Sequence, residues 1–146
     1  MNLSIFAERL SELMFEQQLN APKLAAQVDC TPATINRYVA AKKMPAVQMV
    51  IRLSDFFGCT TDFLLGLEDE SYTRIFRKCP TFQQRLPKLC EEFHVTKAEL
   101  QRKTGIPEAA IYNWQRGDFQ PSTDNVVKIA QALECSVDFV LGRSNN

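Results

Sequence analysis

The chain has 146 residues, 45% hydrophobic and 23% charged, with 17 Lys and Arg balancing 17 Asp and Glu. That is the make-up of a globular protein with room for one ordinary domain or two small ones. Zero net charge argues against a nonspecific coater of DNA, whereas a sequence reader needs only a local cluster of basic groups, and no apolar run approaches the roughly 20 residues of a membrane span.

Phe6, Leu10, Leu13 and Met14 form one stripe at helical spacing and predict a first helix. From Asn20 to Pro45 the chain reads as a short helix, a tight turn and a second short helix. Asn20 caps the first of these, and Pro22 is tolerated in its first turn. Leu24 and Val28 share a face. Asp29 falls where the chain must turn, and Asp accepts a left-handed backbone better than most side chains. Thr31 caps the next helix with Pro32 at its first position; Ile35 and Tyr38 point inward together. That leaves Pro32, Ala33, Asn36 and Arg37 on the outer face, with Lys42 and Lys43 after the helix. Pro45 breaks the chain, and Val50, Leu53, Ser54 and Phe57 mark the inner face of a fourth helix. Thr60 caps a fifth, with Asp62 near its positive end, Phe63 and Leu65 packing inward and Gly66 ending it.

Glu68 to Thr81 opens acidic (Glu68, Asp69, Glu70) and turns basic (Arg74, Arg77, Lys78). Tyr72, Ile75 and Phe76 sit at helical spacing, which favours a helical connector packing on one or both neighbouring domains over a disordered linker.

The chain then repeats itself at an offset of 76 residues. Phe6, Arg9, Leu10, Leu13, Glu16 and Leu24 recur as Phe82, Arg85, Leu86, Leu89, Glu92 and Leu100. Ala33, Ile35, Pro45, Val50 and Cys59 recur as Ala109, Ile111, Pro121, Val126 and Cys135. Asp62, Phe63, Leu65 and Gly66 recur as Asp138, Phe139, Leu141 and Gly142. Chance similarity between amphipathic helices would not hold Pro45/Pro121 and Gly66/Gly142 in register. The second copy therefore carries the same five-helix plan: a stripe of Phe82, Leu86, Leu89, Cys90 and Phe93; a capping box Thr96-Lys97-Ala98-Glu99; Gly105 at the turn; a third helix from Pro107 and Glu108 with Ile111 and Trp114 inward; and Ser122 and Ser136 as caps of the last two, Val126, Ile129, Ala130 and Leu133 facing in. A domain of ~65 residues buries little apolar surface, so the two copies are expected to touch.

Two short helices at a steep angle, the second with a polar outer face, suit a major groove. The Asn20–Pro45 stretch and its repeat resemble the helix-turn-helix of the Cro/repressor (XRE) family of bacterial and phage transcription regulators. The resemblance implies an all-α protein. Two tandem five-helix, lambda-repressor-like DNA-binding domains (1–67 and 81–146) would be joined by a short helical connector (68–80). It also implies a repressor-like regulator that binds double-stranded DNA in a sequence-specific manner.

Carried onto the first copy, the family pattern puts Pro32, Ala33, Asn36 and Arg37 at base edges and Lys23, Thr31, Thr34, Lys42 and Lys43 toward phosphates. Arg37 is the most informative, because a guanidinium fork on guanine O6 and N7 supplies roughly 1–3 kcal/mol of discrimination. In the second copy the matching base positions hold Glu108, Ala109, Tyr112 and Asn113, with Lys97, Arg102, Arg116 and Lys103 for phosphates. Glu108 and Asp118 would repel the backbone, so the second copy reads either as a DNA reader or as a platform for dimerisation or docking. The chain departs from the family in having Ala21 and Lys97 where a Gln usually starts helix two, Asp29 for the turn Gly, and Ala41 for the Gly after helix three.

The five cysteines, Cys30, Cys59, Cys79, Cys90 and Cys135, are odd in number with no Cys-x-x-Cys pair. This argues for reduced thiols in a cytoplasm and against a disulfide framework or zinc site; Cys59 and Cys135 read as small core hydrophobes. The start carries early charge and lacks a signal-peptide core, again pointing to the cytoplasm. His94, the single histidine, reads as a surface residue. No nucleophile–base pair or phosphate-cradling loop stands out, so neither catalysis nor a cofactor or metal is expected, and no effector is evident. A homodimer remains an open alternative, as does a protein-interaction or antitoxin-like role.

Overall fold

Helix starts in this chain are fixed by short polar side chains. In the computed structural model, which describes residues 2–70 and 76–144, ten helices and no strand occur among the described residues. Eight of the ten are capped by a side-chain oxygen that accepts a backbone N–H: from Asn2, Asn20, Thr31, Thr60, Thr81, Thr96, Ser122 and Ser136. Each such cap satisfies a donor the helix cannot satisfy itself. No helix of the structure is long and apolar enough to cross a membrane.

The chain divides into two compact units, residues 1–74 and 75–146. The first holds α1 (Leu3–Glu16), α2 (Ala21–Val28), α3 (Pro32–Val39), α4 (Val47–Phe57) and α5 (Thr61–Leu64). Its core joins Phe6, Leu10, Leu24, Ile35, Leu53 and Leu64, all fully buried. The second holds α6 (Phe82–Glu92), α7 (Lys97–Thr104), α8 (Glu108–Arg116), α9 (Thr123–Ala132) and α10 (Val137–Leu141), around Leu86, Leu89, Leu100, Ile129 and Val140.

Among the described residues, five turn positions per unit take a left-handed backbone, and all ten pair at the 76-residue offset: Gln18/His94, Asp29/Gly105, Ala41/Gly117, Gly58/Glu134 and Gly66/Gly142. The repeat is thus carried in backbone torsions even where the residues differ. Gly66 is required for a second reason, since a Cβ there would stand 2.7 Å from Ile5 Cγ2.

Arginines Arg9 and Arg85 close the two units alike. Arg9 donates to the carbonyls of Phe63 and Glu68 and lies over the Phe63 ring at 4.3 Å. Arg85 donates to the carbonyls of Phe139 and Val140, at 2.6 and 3.2 Å, and lies over the Phe139 ring. Both satisfy carbonyls around a short helix end that has no further turn to serve them. In the second unit Arg143, fully buried, pairs with buried Asp138 at 2.8 Å and stacks on Phe76 at 3.5 Å; the first unit has Leu67 at that position.

Three expectations change. Leu13, Phe57, Phe63, Cys90 and Phe93 are half-buried: they edge the apolar stripes, and Phe63 is shielded by Arg9. At Thr96 the Glu99 N–H donates to the threonine hydroxyl, but the Glu99 carboxylate meets that same hydroxyl at 3.2 Å. The reciprocal capping box forms at Thr81 and Gln84 instead, with bonds of 3.2 and 3.3 Å. The connector's described residues, 68–70 and 76–80, are not helical, Arg77 N–H donating to the Arg143 carbonyl. Tyr72 and Ile75, which carried that expectation, lie outside the described residues.

Ser54 is fully buried, and its hydroxyl has no hydrogen-bond partner among the described residues; α9 has Ala130 at the matching position. Replacing a buried hydroxyl that lacks a partner removes a desolvation cost. Ser54→Ala is expected to stabilise the first unit by about 1 kcal/mol, read as a higher urea midpoint at unchanged slope.

Candidate nucleic-acid interface

The outer face of α3 is defined by what its inner face must bury. Ile35 and Tyr38 are buried, and Tyr38 meets Phe6 of α1 edge-to-face at 5.8 Å between ring centroids. Fixing that side turns Pro32, Ala33, Asn36 and Arg37 outward, all exposed. Thr31 is exposed and Thr34 half-buried; Thr31 Oγ1 accepts the Thr34 N–H at 3.2 Å and shares a hydrogen bond with Thr34 Oγ1 at 2.9 Å. Pro32 begins the helix where a missing N–H costs nothing.

Around this face, Lys23 is exposed in the first turn of α2, whose cap Asn20 accepts its N–H at 2.9 Å. Asp29 makes the turn at φ 57°. After α3, Ala41 takes φ 57°, and the Lys42 N–H donates back to the Arg37 carbonyl at 2.9 Å. Lys42 and Lys43 are exposed. The charges from Asn20 to Pro45 are Lys23, Arg37, Lys42 and Lys43 against Asp29 alone, a basic surface on a unit that otherwise carries acids such as Glu8, Glu12 and Glu16. Beneath the turn, burial and then the nearby Asp29 carboxylate push the Cys30 thiol up from its ordinary range. Burial and then Cys30 do the same to the Tyr38 phenol.

The second unit reproduces the frame with different chemistry. Trp114 replaces Tyr38 and meets Phe82 edge-to-face at 5.6 Å. Glu108, Ala109 and Tyr112 are exposed, whereas Asn113 is half-buried. Arg102, Lys103 and Arg116 are exposed and Lys97 half-buried. Arg116 is not isolated: its Nε meets Asp118 at 3.2 Å, and its guanidinium lies 5.5 Å from the Tyr112 ring centre. A small groove between α7 and α8, about 130 Å³, is lined by Lys97, Gln101, Glu108, Tyr112 and Gln115 among others.

Sequence reasoning missed the Arg116–Asp118 pair, the glutamines of this groove and exposed Phe119. The pair had a signal, because Tyr112 and Arg116 are four apart on a helix and Asp118 follows across Gly117. The glutamines had none. Among the described residues no group of three or more His, Cys, Asp or Glu is placed to hold a metal ion, and none of the five cysteines is in a disulfide.

Two capped helices joined by a tight turn, with a polar outer face on the second and the pattern repeated, define a tandem helix-turn-helix protein. A helix-turn-helix family model matches the chain twice, over residues 17–64 and 88–140. The chain belongs to the Cro/repressor (XRE-type) family of helix-turn-helix regulators, with two copies in one polypeptide. It is similar to Repressor protein C2 of Salmonella phage P22, at 29% identity over 35% of the chain and 24% of the relative. It is also similar to the cryptic phage CTXphi transcriptional repressor RstR of Vibrio cholerae, at 33% identity over 42% of the chain and 54% of the relative. An uncharacterized HTH-type transcriptional regulator of Haemophilus influenzae matches at 32% identity over 40% of the chain and 24% of its own length. The matched stretch thus spans from about a quarter to about half of these relatives. No solved structure matches the chain.

Because Thr31 supplies the cap acceptor of α3, Thr31→Ala is expected to destabilise the first unit by about 1 kcal/mol. Thr34→Ala leaves that acceptor in place and is expected to cost less, both read by urea denaturation.

Proposed function

We propose that this chain is a transcriptional repressor that binds double-stranded DNA in a sequence-specific manner, with α3 lying in the major groove. The observation that carries this is the outer face of α3. It presents Ala33, Asn36 and Arg37 at helical spacing, followed by exposed Lys42 and Lys43 with no acidic side chain from Thr31 to Lys43, and with exposed Lys23 on α2. Arg37 pairs with a guanine edge, Asn36 with a neighbouring base, and Ala33 packs on a thymine methyl. Lys23, Thr31, Thr34, Lys42 and Lys43 hold phosphates and set the register. The repressor names of two relatives support the same role.

In the second unit Glu108, Ala109, Tyr112 and Asn113 occupy the base-facing positions, and Lys97, Arg102 and Arg116 the phosphate-facing ones. Two non-identical faces on one chain would read two non-identical half-sites. This intrachain arrangement stands in for the two-fold dimer by which single helix-turn-helix units read palindromes. A second reading, favoured by exposed Glu108 and by the Arg116–Asp118 pair, is that α8 faces a protein or a second copy of the chain.

The test is a binding selection with duplex fragments followed by salt titration. Arg37→Ala is expected to lose about 1–3 kcal/mol of discrimination at one base pair while the helical content is kept. Lys42→Ala is expected to weaken all duplexes alike and to make the slope of log K against log salt shallower by about 0.9. If both variants bind as the parent does, α3 is not the reading helix.

A further inference from the structure

The 76-residue offset places Asp118 where the first unit has Lys42, and Phe119 where it has Lys43. The correspondence holds in the backbone. Ala41 and Gly117 both take the left-handed conformation, at φ 57° and 81°. The N–H of the next residue then donates back to the third helix, Lys42 to the Arg37 carbonyl at 2.9 Å and Asp118 to the Asn113 carbonyl at 3.1 Å. This is the same helix-ending bond in each unit, so one backbone position carries a cation in one copy and a carboxylate in the other.

The carboxylate is engaged. Arg116, the basic residue in the last turn of α8, meets it at 3.2 Å and lies against the Tyr112 ring at 5.5 Å. All three side chains are at least two-fifths exposed, as is Phe119 at 64%, so the cluster lies on the surface that in the first unit would face phosphate. A guanidinium paired with a carboxylate and resting on a ring has its charge offset and its fork partly filled.

We propose that Asp118 is a positioning residue that sets how strongly the second unit holds duplex. By pairing with Arg116 against Tyr112 it withholds that cation from phosphate, and duplex affinity falls chiefly to the first unit. The inference rests on the DNA-binding function proposed above. It makes the chain an unequal reader: a strong half-site under α3 and a weak one under α8, with Asp118 acting through Arg116.

The experiment uses the full chain on a mixed-sequence duplex, with affinity followed across a salt series. Asp118→Asn frees Arg116 and is expected to tighten binding by roughly fivefold and to steepen the salt slope by about 0.9, one more phosphate neutralised. Asp118→Lys is expected to steepen it by about twice that. Asp118→Glu, which keeps the pair, is expected to leave the slope unchanged. The gain is expected to vanish when Arg116→Gln is added to Asp118→Asn, because Asp118 works through that partner. A gain that survives without Arg116, or parental affinity and slope in Asp118→Asn and Asp118→Lys, overturns the inference. Arg37→Ala/Lys42→Ala run alongside separates the two levels. If it weakens binding while the Asp118 variants change nothing, only the role of Asp118 fails. If it binds like the parent, the DNA function fails and this inference with it.

Discussion

One ring contact in each unit decides which side of the third helix faces outward. Phe6 against Tyr38 and Phe82 against Trp114 are edge-to-face pairs between equivalent positions, at 5.8 and 5.6 Å. Such a pair adds about 0.5–1.5 kcal/mol to the area its rings bury, and its geometry is directional. With one ring on the first helix and the other near the end of the third, rotation of the third helix about its axis would break the contact. The exposed faces bearing Arg37 and Tyr112 are what remain once that contact is made.

The turns impose a second constraint. Each unit must reverse direction four times within a short chain, and the left-handed residues at the 76-residue offset do most of this work. Where the second unit has Gly105 and Gly117, the first has Asp29 and Ala41, which adopt the same torsions at a cost that glycine avoids. The helix-ending bond is kept after Ala41 and Gly117, whereas after Asp29 the Cys30 N–H donates to the Ala25 carbonyl and after Gly105 the Ile106 N–H donates to Thr104 Oγ1. Strain was accepted locally, and the frame did not move.

Charge diverged while backbone did not. The first unit places Lys42 and Lys43 after its third helix and the second places Asp118 and Phe119 there. The second unit also carries a buried Asp138–Arg143 pair where the first has Asp62 and Leu67. The buried pair is structural: a charge at that depth needs its partner. The exposed Arg116–Asp118 pair contributes little to stability but changes what the surface offers an anion. A repeated backbone thus presents two different electrostatic faces.

The amino-acid sequence by itself determined the elements and their repetition. Caps at Asn20, Thr31, Thr60, Ser122 and Ser136, the left-handed turns at Asp29 and Gly105, and the buried Leu24, Ile35, Tyr38, Ile111 and Trp114 were legible, because each depends on neighbours within about four residues. The outward set Pro32, Ala33, Asn36 and Arg37 was legible for the same reason. Tertiary structure decided what depends on residues far apart in the chain. Arg9 and Arg85 reach carbonyls 54 to 59 positions away, so nothing local marks them as closures of a fold. Two competing caps, at Thr81 and Thr96, look alike in sequence, and only the settled side-chain torsions show where the reciprocal bond forms. Helical spacing of the connector's apolar residues could not reveal that Phe76 would be held under Arg143 in a non-helical segment. Local rules place a side chain on a face, but what that face meets depends on packing that brings distant residues together.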